Sequence, residues 1–547
     1  MRLFCAVLLL AACAAETPAT PVAPPEAPVV TTPAGDPCAP MVFQSTRRAA
    51  APDLARAWLS ECGRAEAVAL TKALVAFPTV SAEEPAADGP AFVAMRGFLE
   101  GWAKEAGLKM ETFGKNDAWI VSYGDGAPSV GFVMHADVVP VREAGQAKTE
   151  GLPVGWTVPP FEVTEKDGRL YGRGTEDDKG PIASALVVLK ALKAFGYQPQ
   201  GNLQVMMGTG EEHDWDGMIA YAKQATHPRS VISVDAEFPV VVGESGFVAW
   251  KLSWPLVNAS KKKKKGCLEA TELKGGQFLT QIPGEAELGF AKINAKLLEA
   301  AKVKEEPNRS GYRLEVQGHG EAATVKVSGA AVHSSVAEDG KNALWALAGL
   351  ARHLDLCPGG INDALIVLRE VFDGDHYGGK LGLAYEHPTM GKLLVAPTVL
   401  RVEGDRVVLS INMRRPEGPS SESFGVSLDQ ALARLKKLSP NLTEVVADRY
   451  VGKPHLADTS GPLTATLLEI YREVTGQADA QALTIRGGTY ARLFPGAVSF
   501  GPALPKTPYR GHAPDEYLEL SALEVMLKTQ LEAVLRLDRP AGPVTAK

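Results

Sequence analysis

The sequence predicts an α/β fold in which a domain built on a mostly parallel sheet is interrupted by an inserted α+β domain. Between residues 51 and 245, continuous apolar runs alternate with segments of helical periodicity, a pattern typical of parallel sheets. Residues 246–451 lose this alternation, and residues 452–538 resume it. The simplest interpretation is one domain in two pieces, with the middle region inserted between them.

In the first piece, helical and strand patterns follow one another. The segments are, in order, GPAFVAMRGFLEGWAKEAG, SVGFVMHAD, GPIASALVVLKALKAFG and NLQVMMGTGEE. The first and third have helical periodicity, whereas the second and fourth contain apolar runs expected of buried strands. Ligands of open α/β sheets bind beyond the carboxyl ends of the strands. We therefore expect the polar residues at these strand ends to form a site.

In the inserted region, predicted strands and helices do not alternate as they do in the first piece. Its strands are expected at TVKVSGAAVHSS, DRVVLSINMRRP and LTEVVADRYVG, and its amphipathic helices at NALWALAGLARHL and SLDQALARLKKL. The run Lys261 to Lys265 is interpreted as a solvated loop. The last piece contains the helix LTATLLEIYREVTG, short strands at ALTI and AVSFG, and a closing helix from Tyr517.

The N-terminus has the composition of an export signal. MRLFCAVLLLAAC places Arg2 before an apolar run that is too short to span a bilayer. Its end resembles the lipobox of bacterial lipoproteins, so we expect residues 1–13 to be removed or modified and Cys13 to carry a lipid; the alternative is an ordinary signal peptide that contains a cysteine. We expect residues 14–50 to be a proline-rich disordered tether and 539–547 a disordered tail. The expected location is the bacterial periplasm, with a lipid anchor in the membrane.

Charge and cysteine content narrow the possible partners. The net charge of −7 and a pI near 5.9 argue against nucleic acid, which needs a basic face. Cys38, Cys62, Cys267 and Cys357 are an even number in an exported chain, which favours disulfides between the first two and between the last two. None of them has the spacing of metal ligands.

Five separated segments bring histidine or acidic residues to predicted strand ends or helix starts. In MHADVVPV, His135 and Asp137 lie on the same face of a strand, so one could bind a metal while the other orients it. The alternative is a structural polar pair. The remaining segments are YGRGTEDDKGP, GTGEEHDW, SVDAEFP and RGHAPDEYLEL. The acids of the first of these have a helix-capping alternative.

The chemistry of these side chains favours a metal site. Adjacent carboxylates repel one another, so their burial requires a cation or a raised pKa. Imidazole and carboxylate without cysteine suit zinc and, less selectively, manganese or cobalt. The set is large enough for two ions about 3.5–4 Å apart, a spacing common in hydrolytic sites.

Taken together, the motifs are recognisable. MHADVVPV, LYGRGTEDDKGP, GTGEEHDW, SVDAEFP, GGTYAR and GHAPDE resemble, in order, those of the dinuclear-zinc exopeptidase family that includes carboxypeptidase G, aminoacylase and carnosinase. The resemblance extends over residues 65–537 and is strongest to the bacterial peptidase V branch. It implies a dizinc catalytic domain interrupted by a lid domain.

The resemblance also implies roles for residues of the catalytic domain. Asp177 would bridge two zinc ions, Asp137 would orient a ligand, and Glu211 would be the general base. The implied metal ligands are His135, Asp177, Glu212, Asp235 and His512. Asp178 is expected to be structural.

In the inserted domain, the resemblance implies that His333 steadies the oxyanion and that Arg414 holds the substrate carboxylate. Without it, His333 would be interpreted as a surface histidine and Arg414 as one half of a salt bridge. Thr280 stands where the family usually has an asparagine that touches substrate, and a hydroxyl cannot replace both amide functions. Gly487 and Gly488 of GGTYAR are the remaining substrate-binding candidates.

The implied activity is hydrolysis of dipeptides or short peptides with a free C-terminus. A deacylase of N-acyl amino acids is the alternative within the family, and a catalytically silent binding lipoprotein is the alternative outside it. We expect a monomer or a homodimer.

Overall fold

The computed structural model describes residues 36–45, 47–141, 148–149, 152–257 and 265–539. The predicted signal with Cys13, most of the predicted tether, Lys261 to Lys264 and residues 540–547 lie outside these ranges. Within the described ranges, no helix has the length and apolar character needed to cross a membrane.

The first sheet has nine strands and combines both pieces of the predicted interrupted domain. In spatial order its strands are Lys109–Phe113, Ala118–Tyr123, Asn202–Gly208, Pro128–His135, Ser230–Ser233, Val498–Ser499, Val241–Glu244 and His455–Leu456, with Leu483–Ile485 pairing to Val241–Glu244. The apolar run 128–135 is buried because it lies in the interior of the sheet, between parallel neighbours on both sides. His135 is therefore delivered to the carboxyl end of a central strand.

The prediction of a mostly parallel sheet is wrong in its detail, since the sheet is mixed. The four central strands, from Asn202–Gly208 to Val498–Ser499, pair in parallel. Ala118–Tyr123 is antiparallel to both of its neighbours, and Val241–Glu244 is antiparallel to Val498–Ser499 and His455–Leu456. The connection 114–117 is too short for a parallel crossover, which needs a dozen residues or more. The α/β class itself is confirmed, with a mixed sheet at its centre.

Helices cover this sheet and contribute the first hydrophobic core. Lys179–Ala194 is buried along most of its length beneath the central strands, and Leu520–Leu537 packs against it. The other helices of this part are Pro40–Ser45, Ala51–Trp58, Arg64–Val75, Pro90–Glu105, Asp216–Gln224 and Pro462–Thr475, with a π-helical stretch at Leu59–Gly63 and a 3-10 turn at Tyr490–Leu493. The closing helix begins at Leu520, because residues 517–519 form a short strand instead.

Residues 36–50 are not part of a free tether. They include the helix Pro40–Ser45, whose Phe43 is buried against Phe195. Trp58 donates a hydrogen bond from Nε1 to the Cys38 carbonyl at 2.8 Å. The apolar Phe43 and a disulfide to Cys62 dock this segment, in spite of its loop-like composition.

The second sheet also has nine strands and is formed by the predicted insert. Its spatial order is Arg313–His319, Ala322–Ser328, Glu285–Phe290, Ala270–Gly275, Leu394–Glu403, Arg406–Arg415, Gly246–Pro255 and Thr443–Glu444, with Tyr450–Val451 pairing to Gly246–Pro255. Every pairing along it is antiparallel. It has a separate hydrophobic core, drawn from residues 248–442.

Helices of the inserted part pack on this second sheet. They are Ala295–Glu305, Ala343–Ala351, Gly360–Val367 and Ser421–Leu438, with 3-10 turns at Glu306–Asn308, Ser334–Asp339 and Val446–Asp448 and a π-helical stretch at Leu368–Phe372. Small two- or three-stranded sheets are formed by Ala236–Glu237 with Pro502–Ala503, Glu386–His387 with Gly391–Lys392, Lys148–Thr149 with Leu152–Pro153, and Tyr517–Glu519 with Arg169–Tyr171 and Thr164–Lys166.

Both predicted disulfides are present. Cys38 is bonded to Cys62 within the first part, and Cys267 is bonded to Cys357 within the inserted part. The second bond joins residues that are 90 positions apart and so closes a long loop inside one domain.

The chain passes between the two sheets at one place. Val241–Glu244 belongs to the first sheet and Gly246–Pro255 to the second, so a single residue separates them. On the return, Tyr450–Val451 pairs within the second sheet and His455–Leu456 within the first. Glu244 and His455 are directly paired neighbours, so the two crossings lie side by side.

Candidate metal centre

His135 ends a central strand and is fully buried. Its Nδ1 donates to the Asp137 carbonyl oxygen at 2.9 Å and lies 3.5 Å from the Asp137 carboxylate. Because a carbonyl can only accept, Nδ1 carries a proton and Nε2 is the nitrogen available to a metal. Nε2 faces Asp177 Oδ1 at 2.7 Å and Asp235 Oδ1 at 3.7 Å.

The Asp137 carboxylate has a second function besides orienting His135. Its Oδ1 accepts the backbone N–H of Glu211 at 3.0 Å, and its Oδ2 accepts that of Glu212, also at 3.0 Å. The Ser81 hydroxyl donates to Oδ2 at 2.7 Å. The fully buried carboxylate of Asp137 therefore fixes the backbone of Glu211 and Glu212, while the backbone carbonyl of Asp137 fixes the ring of His135.

Asp177 lies between the two predicted metal-binding histidines. Its Oδ1 is 2.7 Å from His135 Nε2 and its Oδ2 is 3.2 Å from His512 Nε2. The Tyr509 hydroxyl donates to Oδ2 as well. Glu516 accepts the Asp177 backbone N–H at 3.1 Å and so holds the turn that carries it. A carboxylate with one oxygen toward each imidazole has the arrangement of a bridging ligand.

The predicted ligands converge in two groups that share Asp177. In each group, one ligand atom per residue lies within 4.8 Å of the others. The first group is His135, Asp177 and Asp235, and the second is Asp177, Glu212 and His512. The carboxylate of Glu211, the predicted base, belongs to a third group of this kind with His135 and Glu212.

The electrostatics of this cluster call for a cation. Burial, reinforced by the Asp235 charge, raises the pKa of Glu211 well above its usual range, and burial raises the pKa of Asp235 to about 7. The pKa of His135 is also raised well above normal, because the charges of Asp235 and its other acidic neighbours outweigh the opposing effect of burial. Only added positive charge relieves this crowding of acids.

Lysine and arginine side chains do not supply that charge. Within the described ranges, no lysine or arginine forms an ion pair with the clustered carboxylates Asp177, Asp178, Glu211, Glu212 and Asp235. Two imidazoles and several carboxylates, with sulfur absent from the set, fit divalent cations of the zinc, manganese or cobalt type. The residues present are therefore suited to hold two such ions.

Asp178 has the structural position expected of it. It is buried, and its Oδ2 accepts the backbone N–H of His135 at 3.1 Å. The helix-capping alternative does not describe it, because its side chain makes no cap hydrogen bond to the helix that begins at Lys179. Asp178 instead ties the start of that helix to the end of the strand that carries His135.

His512 lies on a turn rather than directly before a helix. The turn is held by Asp515, whose carboxylate accepts the backbone N–H of Thr157 at 2.7 Å. The His512 side chain is 48% exposed, and its Nε2 is 2.8 Å from Glu212 Oε1. It therefore lies on the solvent-exposed side of the centre.

His333 belongs to the inserted domain and directly precedes the 3-10 turn Ser334–Asp339. Its Nδ1 accepts the Ser335 backbone N–H at 3.3 Å, so the proton of the neutral ring is on Nε2. Burial and the nearby charges of Arg414 and His512 lower the pKa of His333 to about 3. His333 is therefore a neutral imidazole with an N–H donor at Nε2.

Arg414 has no carboxylate partner among the described residues, which removes the salt-bridge interpretation. Its side chain is only 6% exposed and bonds to the Ser334 hydroxyl at 3.0 Å, Asn412 Oδ1 at 3.1 Å and the Arg486 carbonyl at 3.2 Å. Burial, with the Arg492 charge, lowers its pKa to about 10, so it remains cationic at neutral pH. Its NH2 lies 3.5 Å from His333 Nε2. Arg414 is thus a buried cation beside the predicted oxyanion donor.

The other predicted substrate residues border the same region. The Thr280 carbonyl accepts the Ser334 backbone N–H at 2.8 Å, which places Thr280 against the segment that follows His333. Gly487 and Gly488 follow the strand Leu483–Ile485. A Cβ at Gly488 would contact the Arg492 guanidinium, so a larger residue there would displace that side chain.

Four residues that contact these groups were not singled out from the sequence. They are Ser81, Arg486, Tyr509 and Glu516. Glu516 is the last residue of the quoted GHAPDE motif and could have been found there, whereas the others have no sequence signal of their own. Each acts by holding the backbone or the side chain of a predicted site residue.

Comparison with known proteins identifies the family of the chain. Residues 131–536 match the family model described as "Peptidase family M20/M25/M40". A Beta-Ala-Xaa dipeptidase of Lactobacillus delbrueckii subsp. lactis is 31% identical over 463 residues, which cover 84% of this chain and 91% of that relative. A putative dipeptidase of Bacillus subtilis is 29% identical over 409 residues, covering 74% and 81%.

Solved structures show the same fold. Human carnosine dipeptidase 1 aligns with a TM-score of 0.53 and 14% identity, over 90% of this chain and 100% of that one. A dipeptidase of Saccharomyces cerevisiae aligns with a TM-score of 0.51 and 14% identity, over 90% and 98%.

Proposed function

The chain belongs to peptidase family M20/M25/M40, and from that membership we propose that it is a metal-dependent dipeptidase acting on dipeptides or short peptides with a free C-terminus. The observation that carries the proposal is the position of Asp177, which is shared by two three-residue ligand groups beside Glu211. The identity of the dipeptidase relatives supports this activity over deacylation of N-acyl amino acids. A catalytically silent binding protein is also disfavoured, since none of the predicted metal ligands and neither of the predicted catalytic carboxylates, Asp137 and Glu211, is replaced by another residue type.

Two zinc ions are the proposed cofactors, with manganese or cobalt as substitutes. One ion would be held by His135, Asp177 and Asp235, and the other by Asp177, Glu212 and His512. Bound ions of this kind supply Lewis acidity and make water available as hydroxide near neutral pH.

Glu211 would move the proton. Its carboxylate borders both His135 and Glu212, and its backbone is fixed through Asp137. A base in that position takes a proton from the attacking water and returns it to the leaving nitrogen, a role that typically contributes about 10²–10⁴-fold in rate.

The inserted domain would bind and polarise the substrate. The Nε2–H of His333 can donate to the carbonyl oxygen as negative charge develops on it. Arg414, a buried guanidinium without an acid partner among the described residues, can donate two parallel hydrogen bonds to a terminal carboxylate. Because one chain supplies both groups and the ligand cluster, a monomer would be sufficient, although a homodimer remains compatible.

The activity is tested with purified protein loaded with zinc or manganese. Dipeptides, the same dipeptides amidated at the C-terminus, and N-acetyl amino acids are assayed in parallel. We expect hydrolysis of the free dipeptides and loss of turnover in Glu211→Gln with metal content unchanged. Preference for N-acetyl amino acids would favour the deacylase. Inactivity toward every small amide would contradict an enzymatic function, and metal loss in Glu211→Gln would make Glu211 a ligand.

We also propose that the chain is exported to the periplasm and anchored by a lipid on Cys13. The apolar N-terminal composition and the two disulfides support export, because disulfides persist in oxidising compartments. Metabolic labelling with a radioactive fatty acid tests this proposal. Label should enter the wild-type chain and not Cys13→Ser, and an unlabelled, soluble wild-type chain would contradict the anchor.

A further inference from the structure

We propose that the guanidinium of Arg486 is a positioning group that holds His333 of the inserted domain against the metal-binding domain. The inference rests on the proposed function for the role of His333. The metal ligands lie in the part of the chain built on the first sheet, whereas His333 lies in the part built on the second. Their relative placement therefore depends on contacts that cross between the two parts.

Arg486 is rooted in the first sheet. It directly follows the strand Leu483–Ile485, which pairs in parallel with Val241–Glu244. The Ile485 carbonyl accepts the Ser245 backbone N–H at 3.1 Å, which fixes the backbone just before Arg486. The Arg486 side chain thus extends from a backbone segment that is fixed by hydrogen bonds of the first sheet.

The Arg486 side chain reaches the 3-10 turn Ser334–Asp339 of the inserted domain. Its NH1 donates to the Ser335 carbonyl at 3.1 Å and to Glu338 Oε2 at 2.8 Å. This turn begins directly after His333, and His333 Nδ1 accepts the Ser335 backbone N–H. The Arg486 guanidinium therefore holds the turn near both of its ends, at Ser335 and at Glu338, and Ser335 is the residue that orients the His333 ring.

The same residue contacts Arg414 in a different way. The Arg486 carbonyl accepts from Arg414 NH1 at 3.2 Å, and this bond does not depend on the Arg486 side chain. Removal of the side chain should consequently disturb His333 more than Arg414, because Arg414 loses at most its contact with Ser334 and keeps its bonds to Asn412 and to the Arg486 carbonyl. Displacement of His333, which would donate a hydrogen bond in the transition state, lowers kcat. Binding of the substrate carboxylate by Arg414 in the ground state instead sets KM.

A structural measurement tests the positioning without any assay of activity. Hydrogen exchange of the peptide covering residues 333–340 is compared between wild type and Arg486→Ala in the metal-loaded protein. We expect at least tenfold faster exchange in the variant, with exchange in the strand Pro128–His135 unchanged. Two controls should leave residues 333–340 as in wild type. Arg536→Ala removes ion pairs within one domain, and Thr484→Val removes a different cross-domain hydrogen bond, to the Thr389 carbonyl.

Kinetics on a dipeptide then tests the link to His333. We expect Arg486→Ala to lower kcat about 10–100-fold, as a misplaced group does, with KM within threefold of wild type and Arg486→Lys intermediate. Glu338→Gln should have a smaller effect, since the Ser335 contact remains. In a His333→Ala background, Arg486→Ala should lower kcat less than threefold further, because nothing is left to position.

The outcomes separate this inference from the proposed function. Unchanged exchange at 333–340, or an additive loss of kcat in the His333→Ala background, overturns the positioning role while peptide hydrolysis by wild type still supports the enzyme. If wild type hydrolyses no peptide but exchange rises as expected, the positioning contact stands and the proposed function fails. If Arg486→Ala does not fold, Glu338→Gln decides the question through the same exchange measurement.

Discussion

Replacement of Asp137 by asparagine turns one buried oxygen into an amide nitrogen without changing the size of the side chain. Each carboxylate oxygen of Asp137 accepts a backbone N–H, one from Glu211 and one from Glu212, and Ser81 donates a third hydrogen bond. In either orientation of the new amide, its NH2 group faces one of those backbone donors. At least one charge-assisted hydrogen bond is therefore lost, and two buried donors are left facing each other.

The cost follows from these contacts. A hydrogen bond to a charged group contributes about 1.5–3 kcal/mol, and an unsatisfied buried donor costs about 1–3 kcal/mol. If about 3 kcal/mol of stabilisation is lost at the backbone of Glu211 and Glu212, kcat/KM should fall roughly 100-fold. The metal affinity should fall about 10–100-fold, as is typical when a group that supports a ligand is removed.

The assay is kcat/KM for a dipeptide at saturating metal, with metal content and Tm measured on the same samples. Ser81→Ala is the matched control, because it removes one neutral donor and leaves both backbone bonds, so the expected loss is under tenfold. An Asp137→Asn enzyme within tenfold of wild type, or a Ser81→Ala enzyme that is equally impaired, would refute the reasoning.

Three further outcomes are expected. Arg414→Ala should raise KM for free dipeptides far more than for C-terminally amidated ones, and equal changes would remove its role as the carboxylate binder. The Tm of the metal-free protein should fall as pH rises from about 4 through 7, because burial raises the pKa of Asp235 to about 7, so the native state retains a proton that the unfolded state releases near 3.8. Saturating zinc should abolish that slope, and a Tm that rises with pH in chelator would contradict it. Cys267→Ala with Cys357→Ala should lower stability by about 4–5 kcal/mol, more than the loss of the shorter N-terminal disulfide, because the closed loop is longer. Urea unfolding measures the stability loss for each disulfide. A larger loss on removal of the N-terminal disulfide would show that loop length does not decide the difference.

The alternation of side chains along a strand and the direction of parallel strands explain why the positions of several site residues could be predicted from the sequence. His135 and Asp137 stand two residues apart after an apolar run, and this pattern alone places them together at the carboxyl end of a buried strand. The same reasoning applies to Asp235 at the end of the next parallel strand. These positions are set by local sequence, and the structure brings them within one cluster.

Contacts that depend on backbone direction could not be predicted in this way. The sequence does not encode that the Asp137 carboxylate receives two successive backbone N–H groups, or that Arg486 reaches a turn some 150 positions away in the chain. The mixed sheet and the docking of Phe43 were mispredicted for a related reason. A hairpin connection and a single buried aromatic ring outweigh the average composition of the segments in which they occur.

The adjacent pairing of Glu244 with His455 makes the inserted region separable from the rest of the chain. Its two ends need only lie about one strand spacing apart, roughly 5 Å, for the first sheet to close around them. Parts of this region away from His333, Arg414 and the Arg486 contact can therefore change in length without altering the path of the first sheet, which carries the predicted metal ligands.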